Sequence, residues 1–482
     1  MPFIATQLPL LLCRRRSILL IMGSLLALLP SFAQASELNG AALSPLLAIP
    51  FAGILLSVAI GPLVVARFWH HHYGKVIAGW TLIFLIPFTF KFGISGSVEL
   101  ITHAVLAEYV PFLVLLFALF TISGGIFIRG TPHSSPRLNT GILALGALLA
   151  PIMGTTGAAM LLIRPLLRAN DNRRHNAHVP IFFIFLVANV GGSVTPLGDP
   201  PLFLGFLHGV DFFWTLEHML VPALGVSVPL LVIFYLLDSY LFNKPGEIKA
   251  IDPTPYDEPR LNGKINFALL GGVALSVLVS GMWHPGIEWN IFGTHLELED
   301  LSRDLVLLAL AGISMRVTPQ KIRERNNFNW EPIVEVAKLF AGIFVTIGPV
   351  IAMIQAGPHG PFGALLHTVN DDHGHPLNLR YFWITGLLSG FLDNGPTYLL
   401  FFNMAGGDPQ TMMGPLSKTL LAISMGSVFM GALTYIGNAP NLMVKFIAQQ
   451  RGVKMPEFFG YMAWSCGILL PVLAIVSFAL LS

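Results

Sequence analysis

Asp199 lies in Thr195-Pro196-Leu197-Gly198-Asp199-Pro200-Pro201, and Asp393 lies in Leu392-Asp393-Asn394-Gly395-Pro396-Thr397, each within an otherwise apolar stretch. Proline removes a backbone donor and glycine relaxes the chain, so both motifs break a helix beside a carboxylate. The freed carbonyls, with hydroxyl and carboxylate oxygens, are hard ligands suited to a small cation. The freed amide ends favour an anion. Asp199 and Asp393 are therefore the candidate metal ligands, with sodium as the ion.

The surrounding chain makes these carboxylates unusual. Of its 482 residues 54% are hydrophobic and only 11% charged, against about 25% charged in an ordinary soluble protein. One buried core cannot absorb that composition, because single cores stop growing near roughly 250–300 residues. The natural solvent is a bilayer, where an ionisable residue at mid-depth costs a few kcal/mol and marks function by default. Lysine plus arginine (27) nearly balance aspartate plus glutamate (25), so net charge does not point to nucleic acid.

At the start, Arg14, Arg15 and Arg16 precede an apolar run and then Ala33-Gln34-Ala35, the layout of a signal peptide over 1–35. Apolar stretches of roughly 20 residues suffice to cross a bilayer. Plain spans are expected near 45–66, 76–97, 100–128, 215–242, 264–283, 302–316, 330–356 and 458–481. Stretches 140–168 and 380–404 are expected to be re-entrant hairpins, and 179–207 and 418–447 interrupted crossings. Broken segments of this kind survive only inside protein or beside water. With residue 40 outside, this arrangement puts 19 basic residues in cytoplasmic segments and four in outer ones. A crossing at 140–168 would instead expose Arg164, Arg168, Arg173 and Arg174 outside, against the positive-inside tendency.

Each half then holds five crossings and one hairpin, so the second copy is inverted relative to the first. The sequence carries the repeat: TTGAAMLL from Thr155 lies over DNGPTYLL from Asp393, an offset of 238, and SVTPLGDPP from Ser193 lies over ALTYIGNAP from Ala432, an offset of 239. The expected fold is an all-α polytopic membrane protein with a first repeat over 36–242, a polar cytoplasmic linker over 243–263 and a second, inverted repeat over 264–482. Each hairpin tip is expected to meet the break of its own half. One group is then Thr155, Thr156, Thr195 and Asp199, and the other Asp393, Asn394, Thr434 and Asn438; Gly198, Thr397, Gly437 and Asn441 are further candidate ion- or substrate-binding residues. Taken singly, these threonines and asparagines suit turns and caps equally well; their repetition at two related breaks favours ion or substrate binding.

Other polar residues have plainer uses. Glu331, Glu335 and Lys338 share a helix face and suit an ion pair, while Glu99, Glu108 and Arg164 lie near membrane boundaries and suit snorkelling. His70, His71, His72 and the loop Asp371-Asp372-His373-Gly374-His375 read as solvated. Cys13 and Cys466 are too few for a disulfide framework. No nucleotide-binding glycine loop, GxSxG elbow or HExxH helix occurs, so no cofactor and no enzymatic activity are expected.

At GGSVTPLGDPP (191–201), FLDNGPTYLL (391–400) and TYIGNAPNLM (434–443) the chain resembles the ion-transporter superfamily, which groups NhaD-type sodium/proton antiporters, arsenite permeases and sodium-coupled citrate or dicarboxylate symporters. The first two motifs look most like the NhaD-type branch. The tips read Gly154-Thr155-Thr156 and Asp393-Asn394-Gly395 where symporters usually carry Ser-Asn-Thr. The resemblance implies a central site between hairpin tips and unwound helices, and a homodimer. The expected function is sodium (or lithium)/proton antiport across a bacterial inner membrane, proton and cation competing for buried aspartates. The alternative is a sodium-coupled symporter of citrate or another small carboxylate.

Overall fold

The structure, a computed structural model, describes residues 39–131, 133–244 and 257–482. The expected signal peptide and most of the expected linker lie outside them. The elements of the first half are α1 (Ile49–Val64), α2 (Ala66–His103), α3 (Val110–Ser123), β1 (Phe127–Thr131), α4 (Pro136–Met153), α5 (Thr155–Ala169), α6 (His178–Leu186), α7 (Pro200–Leu207) and α8 (Phe212–Phe242). Then come β2 (Asp257–Asn262), α9 (Ile265–Ser280), β3 (Glu288–Ile291), β4 (Thr294–Glu297), α10 (Leu298–Val317), α11 (Gln320–Arg325), α12 (Glu331–Gln355) and α13 (Gly363–Val369). The chain ends with α14 (Asn378–Phe391), α15 (Asn394–Met404), α16 (Pro409–Met413), α17 (Ser417–Phe429), α18 (Ala439–Gln450), α19 (Phe458–Trp464) and α20 (Leu470–Leu481).

This is an all-α polytopic membrane protein. Among the described residues six helical stretches are long and apolar enough to cross a bilayer, including Ala66–Ser123, Phe212–Phe242 and Glu331–Gln355. Their outward faces stay apolar, as at Phe90 and Ile475, which suits lipid rather than water. The expected boundary between the spans 76–97 and 100–128 falls earlier. The break is at Gly93, whose φ of 77° is non-helical, a conformation glycine reaches without a Cβ penalty.

The hairpin tips and the breaks are buried, while the first leg of the first hairpin keeps an exposed apolar face at Leu145, Leu148 and Ile152. In each hairpin the two legs pack on one another, α4 on α5 and α14 on α15. After α6 the chain tightens into a 3-10 turn (Val190–Val194), runs extended at Thr195 and Asp199, and resumes as α7. After α17 it does the same through Met430–Leu433, with Thr434 and Asn438 extended before α18. Tertiary contacts repeat at the offset read from the sequence. Thr195 Oγ1 donates to the Pro151 carbonyl at 2.5 Å and Thr434 Oγ1 to the Gly390 carbonyl at 2.5 Å, both pairs 239 residues apart. A Cβ on Gly198 would land on the Gly192 carbonyl oxygen, and one on Gly437 on the Gly431 carbonyl oxygen. Backbone cannot swing aside as a side chain does. Gly198→Ala is therefore expected to cost at least about 1–3 kcal/mol, read as a lower melting temperature and less monodisperse protein in detergent. Gly271→Ala, where a Cβ meets nothing within 4 Å, is expected to leave both unchanged or improved.

Two short antiparallel strand pairs brace the ends of the bundle: β1 with β2, where Ile128 faces Leu261, and β3 with β4 across a Phe292-Gly293 turn. Neither pair is foreseen by the sequence, because strands this short leave almost no periodic pattern. The predicted Glu331/Glu335/Lys338 ion pair is replaced by contacts to α2. Glu331 faces His70 at 3.7 Å, and the Lys338 ammonium lies over the Tyr73 ring. His70, His71 and His72 are helical residues of α2 rather than loop residues.

Candidate functional site

Asp199 is the N-cap of α7, a place where a carboxylate normally accepts from the amides of the first turn. Pro200 and Pro201 supply no N–H, the Leu202 amide donates to the Asp199 carbonyl at 3.2 Å, and the Asp199 side chain makes no cap bond. Its carboxylate, only 2% exposed, is held from the two hairpin tips instead. Thr155 Oγ1 donates to Oδ1 at 3.2 Å and Asn394 Nδ2 donates to Oδ2 at 2.6 Å. The Thr155 amide also donates to the Gly198 carbonyl at 2.9 Å, which fastens the first tip to the break.

The second-half counterpart behaves differently. Asn438 does cap its helix: its Oδ1 accepts from the Asn441 N–H at 3.2 Å. Its Nδ2 donates across the halves to the Ala188 carbonyl and to Asn189 Oδ1 at 3.0 Å. Asn189 in turn donates to Asn441 Oδ1 at 2.7 Å, and Asn441 donates to the Gly431 and Thr434 carbonyls. Each break is thus tied to its own hairpin through Thr195 or Thr434. The side chains Asn394 and Asn438 reach into the opposite half. That interdigitation departs from the expected separation of the residues into two self-contained groups, because the two tips and two breaks meet at one centre.

Asp393 is half-buried; its Oδ1 caps the Gly395 amide at 3.2 Å, and its carbonyl accepts from Thr397 Oγ1 at 2.9 Å. Thr156 is half-buried in the first turn of α5. Four helices, α5, α7, α15 and α18, begin at this centre. Four N-termini at roughly +0.5 each nearly balance two carboxylates. One oxygen is left over: Asn394 Oδ1 is buried and has no hydrogen-bond partner. Beside a carboxylate, that orphan acceptor is a ready ligand for a desolvated cation.

Three features escaped the sequence reading. Asn189, fully buried just after α6, was hidden in the apolar run that continues from that helix, where its one signal is an amide side chain among apolar residues. Glu108 sits in a π turn (Ala104–Tyr109) and pairs with His208 at the end of α7, Nε2 to Oε1 at 3.2 Å, instead of snorkelling. Asp238 in α8 gathers Arg173, His178 and Asn139 around one buried carboxylate. The Asp371 loop does read as solvated. The Asp371 carboxyl is held below the usual carboxylate range by the backbone amides of His375 and His373, which donate to Oδ1 at 2.7 and 2.9 Å.

Known proteins match the chain in the same sense. A "46 kDa membrane protein" of Mycobacterium leprae (strain TN) is 23% identical over 333 residues, 67% of this chain and 71% of the relative. An "uncharacterized transporter" of Mycobacterium tuberculosis (strain ATCC 25618 / H37Rv) is 21% identical over 335 residues, again 67% and 71%. A family profile described as "Putative citrate transport" matches residues 40–481. With hairpin tips and broken helices gathered around one buried carboxylate, and with that match over nearly all of its length, this multi-pass membrane protein belongs to the putative citrate transport family.

Proposed function

We propose that this transporter is a secondary active carrier of the bacterial inner membrane that exchanges sodium or lithium for protons at Asp199, with Asp393 as a second carboxylate of the same site. The carrying observation is the buried Asp199 carboxylate, which makes no cap bond to α7 and is held instead by Thr155 and Asn394. A proton and a small cation compete for its oxygens, and competition for one group is the minimal antiport mechanism. Asn394 Oδ1, buried without a partner, supplies a further ligand when the cation is bound. Two inverted repeats, each with five crossings and a re-entrant hairpin, give the site access from alternate sides. The 239-residue offset between the Thr195 and Thr434 contacts supports that architecture. The bilayer, the two ions and a second copy of the chain are the partners.

A second reading has its own support. The family match and the helix N-termini at the centre favour sodium-coupled import of citrate or another small carboxylate, with Asp199 as a sodium ligand.

Purified protein in vesicles with an imposed pH gradient separates the two readings. Sodium or lithium alone is expected to collapse the gradient, with potassium inactive. A response only to citrate together with sodium would replace antiport by symport. No response to any of these would sink both.

A further inference from the structure

A second set of potential ligands lies away from Asp199, where β3, β4 and the start of α10 meet the loop after α9. The ligand atoms of His284, Glu297 and Glu299 all lie within 4.8 Å of one another. His284 Nδ1 is 3.0 Å from Glu299 Oε1, close to the separation of about 3–3.5 Å that two ligands of one zinc-sized ion take at bond lengths near 2.0–2.2 Å. Glu288 pairs with His295 at 3.2 Å and Asp300 with Arg303 at 2.7 Å. Glu297 stands at the N-cap of α10 yet makes no side-chain cap bond. It also faces Glu288 directly across the strand pair, an opposition of like charges that costs stability unless something positive intervenes. The independent observation is Glu299: its side chain is 5% exposed and its Oε2 is buried without a hydrogen-bond partner. A buried carboxylate oxygen left bare next to a second carboxylate and an imidazole asks for a cation.

We infer that His284, Glu297 and Glu299 form a binding site for a divalent transition-metal ion of the zinc class, one imidazole nitrogen and two carboxylate oxygens holding it and water completing the shell. Mixed nitrogen and oxygen ligation selects such an ion over sodium or magnesium. The ion takes the place of the proton between His284 and Glu299. It ties the loop after α9 to the start of α10 and relieves the Glu288–Glu297 opposition.

The test uses full-length protein carrying an affinity tag without histidines, purified in detergent, stripped with chelator and titrated with zinc by calorimetry, with bound metal counted after desalting. One equivalent is expected. His284→Ala and Glu299→Gln are each expected to weaken binding by at least about tenfold, since even outer partners of metal sites contribute roughly 10–100-fold. His295→Ala and Asp199→Asn are expected to bind like the unaltered protein. His284 is largely exposed, so its variant folds and keeps the test decisive. Absence of saturable zinc binding, or binding that survives His284→Ala, overturns the site. Equal loss on His295→Ala also overturns it, since the ion would then be held diffusely by the hairpin surface.

Discussion

Asp199→Asn is expected to cut cation-dependent proton movement in reconstituted vesicles severely while leaving the protein folded. The replacement is isosteric and keeps an oxygen for Thr155 Oγ1 or Asn394 Nδ2, the two donors that hold the carboxylate at 3.2 and 2.6 Å. What it removes is the negative charge, and with it the group proposed both to take the proton and to bind the cation. Truncating one partner of a buried, hydrogen-bonded charge typically costs about 2–5 kcal/mol, so a fall of roughly 30-fold to several thousand-fold in transport rate at fixed sodium is expected. Asp393→Asn is expected to do less. Asp393 is half-buried, and asparagine caps a helix as well as aspartate does, so the Gly395 amide keeps its acceptor. Folding is followed by elution profile and melting temperature alongside flux. Transport at the unaltered rate in a folded Asp199→Asn protein would remove Asp199 from the mechanism, whether the carrier is an antiporter or a symporter.

Asp238→Ala is expected to produce the largest loss of stability. This carboxylate, fully buried in α8, accepts from Arg173 at 2.6 Å and Asn139 at 2.9 Å, and lies 2.8 Å from His178 Nε2. Asn139 belongs to the first leg of the first hairpin, Arg173 to the loop leaving the second leg, and His178 to the start of α6. One carboxylate thus pins three pieces of the hairpin region to a long helix. Removing a partner from a buried charge network costs about 3–5 kcal/mol, and thermal unfolding in detergent followed by tryptophan fluorescence reads it directly. The contrast is Glu331→Gln. Its contact with His70 is 3.7 Å long between side chains 67% and 69% exposed, and exposed pairs contribute about 0–1 kcal/mol. If both variants melt with the unaltered protein, the Asp238 network is not what holds the first hairpin in place.

The positions of these two aspartates show what a sequence reading reaches. Asp199 was legible because proline, glycine and a carboxylate together contradict an apolar crossing. Asp238 was not, since a single carboxylate near the end of a long apolar helix looks like a boundary residue until its partners, 60 to 99 residues away, are in view. His208 and Glu108 were opaque for the same reason: each sits near a span end, and only packing of the π turn against the end of α7 joins them.

By itself the sequence determined the membrane as solvent, the all-α class, the two hairpin tips and the two breaks. These follow from local chemistry: apolar run length, the missing proline N–H and the freedom of glycine act on neighbouring residues alone. The 239-residue offset was also readable, because a duplicated motif keeps its spacing. Only the tertiary structure decided that Asn394 reaches Asp199 and Asn438 reaches Asn189, crossing between halves that the sequence keeps nearly 200 and 250 residues apart. It alone decided that Glu299 keeps one oxygen bare. A side chain's partner depends on which helix faces lie together, and that is set by packing of the whole bundle.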